Sequence, residues 1–276
     1  MSQIIINPAF KPFADIIEEI PFLFQNSSPL KEKPQHLTLQ KEHRGISLSI
    51  HFFSDKDGGS IRDKTPKPTA GRAYDNAWKL IQLGLRSPEP LAWMDTDHSF
   101  LLGKGSVYIT HQESGLGSLT SVFQKAPDKE KLTEKLLHFI LEDLQARQIG
   151  HHHLNGENIG VHLKNGHYTF SIEEPQGIRF DQPFTKESRL LQLQQLSQEP
   201  ELLFDLAQAF ADQQNEDFSE VIFNIFQQDV KMNFLHHLTY HKQPIIKRRT
   251  SLTYTEILAS SNPTKNQQNH KILKNS

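Results

Sequence analysis

One stretch limits the choice of fold more than any other. From residue 128 to 150 the chain reads DKEKLTEKLLHFILEDLQARQIG, and Leu132, Leu136, Leu137, Ile140, Leu141 and Leu144 recur at helical spacing with charges opposite. Such a helix has a broad apolar stripe to bury. Directly after it come a short polar loop, HHHLNGE, and two extended segments, NIGVHL and HYTFSIE, joined by Lys164-Asn165-Gly166. Asn-Gly between extended segments is a hairpin turn signal, because both residues accept positive φ. The unit is therefore helix, polar loop, hairpin, and the loop carries the chemistry-bearing side chains.

Upstream the pattern is mostly extended. IIINPAFKPFADIIEEIPFLF predicts a short strand and then a helix using Phe13, Ile16, Ile17 and Ile20, followed by a loop, QNSSPLKEKPQ. HLTLQKEHRGISLSIHFF alternates around Arg44-Gly45 as a hairpin does. A polar stretch leads into RAYDNAWKLIQLG, a helix with Ala73, Ala77, Leu80 and Ile81 on one face that stops at Gly84. SPEPLAWM must be extended, since each Pro disfavours helical geometry in the residue before it. LLGKGSVYIT adds one or two strands, and HQESGLGSL reads as a connector, so a break between lobes fits near 111 to 118.

Downstream, PELLFDLAQAFAD and FSEVIFNIFQQDVKMNFLHHL predict two more amphipathic helices. From 242 the chain is basic and polar, a tail expected to be disordered after Ser260. There is no internal repeat. The architecture expected is α+β and bilobal, in the manner of a protein kinase: a small β-rich N-lobe over residues 1–110, a helical C-lobe over 111–241 and a tail over 242–276.

Composition removes several functions. With 276 residues there is room for two lobes sharing a cleft. The absence of Cys excludes a disulfide framework, a thiolate zinc site and a cysteine nucleophile. A net charge of −2 gives no global reason to expect nucleic acid as a partner. No uninterrupted apolar run reaches spanning length, and the N-terminus lacks a basic leader region, so the expectation is a soluble cytoplasmic protein, with peripheral membrane contact left open.

Three segments carry a family resemblance. RAYDNAWKLIQLGLRSPEPLAW, QIGHHHLNGENIGV and YTFSIEEPQGIRF occur in this order, within a resemblance that extends over roughly residues 3 to 235. They are similar to a regulatory-helix segment ending in TPEPIAY, to the catalytic loop G-I-H-x-D, and to YxFSLVDINRMRF in the lipopolysaccharide kinase (Kdo/WaaP) family of kinase-like proteins. The resemblance implies ATP and Mg²⁺ as ancestral cofactors. It also implies a lipopolysaccharide-core sugar, or a related hydroxyl, as the ancestral acceptor.

Carried over residue by residue, the family's machinery is largely substituted. His51 stands at the strand lysine, Asp75 at the helix glutamate, His153 at the catalytic aspartate and Glu174 at the metal-binding aspartate, while Asn158 keeps the metal-binding asparagine. A lysine is a permanent cation on a long stem. Histidine is shorter and mostly neutral at pH 7, so His51 should hold phosphates weakly, although it could hydrogen-bond Asp75. Imidazole at 153 is a competent base near neutrality, but once protonated it adds positive charge beside the metal. Glu174 and Asn158 are hard oxygen ligands suited to Mg²⁺. Glu173, one residue earlier on a strand, is expected to face the other way. Gly45 is the lone glycine where a phosphate-covering loop would use several.

Simpler roles exist for each residue. His151 fits a structural position against the metal-binding segment, His51 a half-buried strand histidine, Asp75 a solvated charge, and Asn158 a brace for the loop. In an extended loop only His151 and His153 of the triplet share a side, which disfavours a zinc cluster. The sequence therefore supports a degenerate, pseudokinase-like protein that binds a protein partner or a nucleotide with little phosphotransfer. The alternative is an active atypical ATP-dependent phosphotransferase using His153 as base.

Overall fold

The computed structural model describes residues 3–26, 31–33, 36–54, 67–96, 103–112, 115–196 and 200–227. Met1–Asp229 form one compact unit, and Val230–Ser276 are assigned to a second. The expected tail from 242, and the end of the last predicted helix, lie outside the described residues.

The chain begins with β1 (Ile4–Ile6), a 3-10 turn over Pro8–Phe13 and α1 (Ile16–Asn26). Then come β2 (Lys31–Lys33), β3 (His36–His43), β4 (Ile46–Ser54), α2 (Thr69–Gln82), β5 (Pro90–Thr96) and β6 (Gly105–His111). These strands make one antiparallel sheet in the order β1-β5-β6-β4-β3-β2. Its two faces differ because side chains alternate along each strand. Leu39, Leu48, Ile50, Phe52, Val107 and Ile109 face α1, where they pack with Phe10, Ile16, Ile20 and Phe24. Phe53, Trp93 and Tyr108 pack on the opposite side with Ala70, Ala73 and Ala77 of α2. Alanines at these positions let the helix lie close to the sheet.

The second half is built around the predicted helix. After β7 (Gly117–Ser118) and α3 (Leu119–Phe123), α4 (Lys129–His138) continues into a π-helical stretch over Phe139–Gln145. The predicted helix is thus continuous but widened in its last third. There the buried Gln145 donates through Nε2 to Oε1 of Gln192 at 2.8 Å. Beyond it are β8 (Gly150–His151), β9 (Ile159–Lys164), β10 (His167–Ile172), a 3-10 turn at Pro175–Gly177 and β11 (Ile178–Arg179). The helices α5 (Lys186–Leu196) and α6 (Pro200–Gln214) follow, and residues 218–227 are helical. All six leucines and isoleucines of the predicted stripe are buried in one core with Leu190, Leu193, Leu206, Phe210 and Ile225.

The Asn-Gly hairpin forms as its sequence predicts. His167 pairs with Lys164, and Asn165 and Gly166 have φ of 53° and 73°. The fold is α+β, with a sheet in the N-terminal part and helices in the C-terminal part. Some stretches differ from expectation, among them Gly117–Ser118, read within a connector but paired to β9. Lys31–Lys33, read as loop, is a strand paired to β3 at the edge of the sheet. Helix α5 was not foreseen, because its apolar residues are interleaved with Gln and form only a weak stripe.

Candidate functional site

The alternation that buries Leu48, Ile50 and Phe52 turns Ser49 and His51 toward the helical part of the molecule. On the neighbouring strand Thr38 pairs with His51 and Gln40 with Ser49, so His36, Thr38 and Gln40 share that face. Together with Gln112, Gly115, Glu157, Gly160, His162, Glu173 and Glu174 they line a cavity of about 360 Å³. The wall it presents is polar. Four histidines (His36, His51, His111 and His162) and three glutamates (Glu157, Glu173 and Glu174) face it, and no Lys or Arg is among its described lining residues.

His51 is held within this wall. Its Nδ1 lies 3.2 Å from His36 Nε2 and 3.2 Å from Thr38 Oγ1, and its ring stacks on Tyr108 at 5.8 Å. Asp75 makes a different connection. Its carboxylate takes the Lys67 ammonium, which also lies 5.4 Å from the Trp93 ring centroid. Helix α2 reaches the site through the next residue, Asn76, whose Nδ2 donates to the carbonyls of Pro175 at 2.8 Å and Ile178 at 3.2 Å.

On the other side, the loop after β8 is braced from inside. Asn158 is 2% exposed; its Nδ2 donates to His153 O at 2.6 Å and its Oδ1 accepts from Asn155 N–H at 3.0 Å. His151 places one ring nitrogen 2.9 Å from Glu174 O, and the other accepts from His153 N–H at 3.1 Å. A carbonyl only accepts and an amide N–H only donates, so His151 is the neutral Nε2–H tautomer. Burial pushes its pKa below the ordinary 6.5, opposed by the Glu174 carbonyl and carboxylate. With both nitrogens engaged, His151 could ligate a metal only by giving up one of these bonds. His153 is exposed on the loop, beside the His152 ring at 6.4 Å.

Two acidic residues reach the cavity floor where one was expected. Glu173 N–H bonds Asn158 O at 2.9 Å, which sets it directly opposite Asn158, and its side chain folds over Gly160. Strict alternation ends with β10 at Ile172, so Glu173 and Glu174 both line the cavity. Counting outward from the Asn-Gly turn in equal steps would have found Glu173 in the sequence. His36 and His162 could have been found in the same way, by strand parity from His51 and from Gly160. Gly45 lies in the β3–β4 turn with φ of +80°, where its neighbour Arg44 binds Pro12 O and Asp15. That turn does not line the cavity.

Of the residues singled out in the sequence, His51 and Glu174 thus line one cavity, Asn158 braces the loop beneath it, and His153 and Asp75 sit at its outside. The donors offered to a hard cation are the Glu173 and Glu174 carboxylates, with Asn158 Oδ1 already accepting one hydrogen bond. Among the described residues no group of three His, Asp or Glu is gathered tightly enough to hold a metal alone. Mg²⁺ usually takes one or two carboxylates together with substrate phosphates, and this donor set fits that arrangement.

A sheet with a flanking helix, a helical part and a polar cavity at the strand faces define a kinase-like fold. Among solved structures, the chain matches "WaaP in complex with acyl carrier protein" with a TM-score of 0.54 and 11% identity, covering 83% of this chain and 98% of that one. At this identity the likeness is one of fold. No family model matches the chain, and no curated protein matches it in sequence. Among the described residues, no helix is long and apolar enough to cross a membrane.

Proposed function

We propose that this is a kinase-like protein of the lipopolysaccharide kinase type whose cleft is degenerate, binding a nucleotide or a protein partner with little phosphotransfer. The observation that carries this reading is His51. In place of a long-stemmed cation paired to a helix carboxylate, the cleft has an imidazole bonded to His36 and Thr38, while Asp75 is engaged by Lys67. Phosphoryl transfer depends on positioning and charge together, and the charge on this wall has changed from a fixed cation to a titratable group. The lobe division near residue 110 belongs to the same reading; the sheet has an apolar core of its own with α1, while Leu80 and Leu85 join the core of the helical part.

If a nucleotide enters, Mg²⁺ would arrive with its phosphates and meet Glu173, Glu174 and Asn158. The metal would neutralise the phosphate charge, and the chain's own part would be to orient the complex. A protein partner is the other arm of the proposal; the matched WaaP was solved with an acyl carrier protein.

The deciding experiment is calorimetric ATP binding with and without Mg²⁺, repeated on Asn158→Ala and Glu174→Ala, beside a phosphotransfer assay with lipopolysaccharide core as acceptor. Metal-dependent binding with negligible transfer supports the degenerate cleft. Turnover abolished by His153→Ala would replace it with an active phosphotransferase, and absence of binding at millimolar ATP would leave the partner-binding arm.

A further inference from the structure

We propose that Ser171 and His162 are positioning residues that hold the Glu173 carboxylate on the cavity floor, making that floor a fixed hydrogen-bond acceptor. Ser171 Oγ donates to Glu173 Oε1, and His162 Nε2 lies 2.9 Å from the same hydroxyl. The direction of this relay follows from proton counting. A serine hydroxyl has one proton, an ionised carboxylate can only accept, and so the Ser171 oxygen must accept from a protonated His162 Nε2. Ser171 is 1% exposed and His162 7%, so little water reaches the relay to compete.

The third part of the device is a missing side chain. A Cβ on Gly160 would fall 2.3 Å from Glu173 Oε1 and 2.4 Å from Ser171 Oγ, so only glycine leaves room for the carboxylate to fold down. Gly160 and Ser171 are paired residues on β9 and β10, and His162 follows Gly160 on the same face. Three positions of one hairpin thereby fix an acceptor at the base of the cavity. Such a floor favours a ligand that presents an amine, a hydroxyl or a metal ion there.

The inference refines the cleft proposed above and rests on it only for the nature of the ligand. It is tested on the full chain by NMR, following the Glu173 carboxyl carbon through a pH titration and the His162 ring nitrogens at neutral pH. Removing a donor to the charged form raises a carboxylate's titration, so in Ser171→Ala the Glu173 midpoint should move to higher pH by about half a pH unit or more. The His162 Nε2 resonance should change with it. His162→Gln keeps a donor at that place and should leave the Glu173 titration near wild type, whereas Gly160→Ala, whose Cβ would crowd both the carboxylate and the Ser171 hydroxyl, should reproduce the Ser171→Ala shift. An unmoved Glu173 titration in folded Ser171→Ala and Gly160→Ala overturns the positioning role. Failure of ATP to bind wild type, with the Ser171-dependent titration intact, overturns the nucleotide arm alone.

Discussion

The two sides of the cavity differ in how their polar side chains are used. On the loop side, His151 and Asn158 spend their hydrogen-bonding capacity on the backbone, His151 tying the loop to the segment at Glu174 and Asn158 closing the loop on itself. On the strand side, His36, Thr38 and His51 bond to one another through side chains. Backbone bracing specifies a loop shape whatever ligand is present, whereas a side-chain cluster on a sheet can be exchanged without disturbing the ladder beneath it. The shape of this site and its chemistry are therefore encoded in separate residues.

The sharpest way to break this comparison is to remove a brace. Asn158→Ala leaves His153 O and Asn155 N–H without their partner in a part-buried setting, which should cost about 2 kcal/mol and lower Tm by about 4–8 °C. Urea and thermal unfolding would measure it; a change below about 0.5 kcal/mol would mean the loop does not depend on this side chain. Next in size is a gain on the strand side. His51→Lys places a permanent cation in the cleft and should tighten Mg·ATP binding about tenfold by calorimetry, with little change in stability. Equal affinities in the two proteins would show that the identity of this residue is not what limits the cleft.

A smaller effect should follow pH. His151 is neutral in the fold and its pKa is lowered, so below the ordinary 6.5 the unfolded chain binds a proton that the folded chain resists. Its contribution is therefore present above pH 6.5 and is lost as pH falls from there through the folded value. Protonation would set a second ring N–H against His153 N–H, a loss of about 1 kcal/mol. His151→Phe should flatten the stability profile in that window, and an unchanged slope in denaturation midpoints would remove His151 from the brace. Asp75→Asn should be smallest of all. Its pair with Lys67 is solvent-exposed, so stability should stay within about 0.5 kcal/mol.

Much of the fold was legible because it depends on periodicity. The stripe from Leu132 to Leu144, the Asn165-Gly166 turn and the helix ending near Gly84 all follow from local pattern, and all appear. Helix α5 and the Lys31–Lys33 edge strand are held by neighbours rather than by their own pattern. Within the site, the sequence located the loop but not how its side chains are spent. Whether an asparagine braces a loop or a carboxylate folds over a glycine is a matter of packing between β9 and β10, and a one-residue count decided that Glu173 stands opposite Asn158. His36 was missed for a similar reason, since it meets His51 only through the sheet register.

The two hydrogen bonds from Asn76 have a consequence for how the molecule opens. They attach α2 to the carbonyls of Pro175, the first residue of the turn that follows Glu174, and of Ile178, the residue just after it. Helix and turn should then behave as one cooperative unit, their slowly exchanging amides sharing a single opening free energy. A ligand that shifts Glu174 would then be felt at the far end of α2, and a partner gripping α2 would stiffen the floor of the cavity.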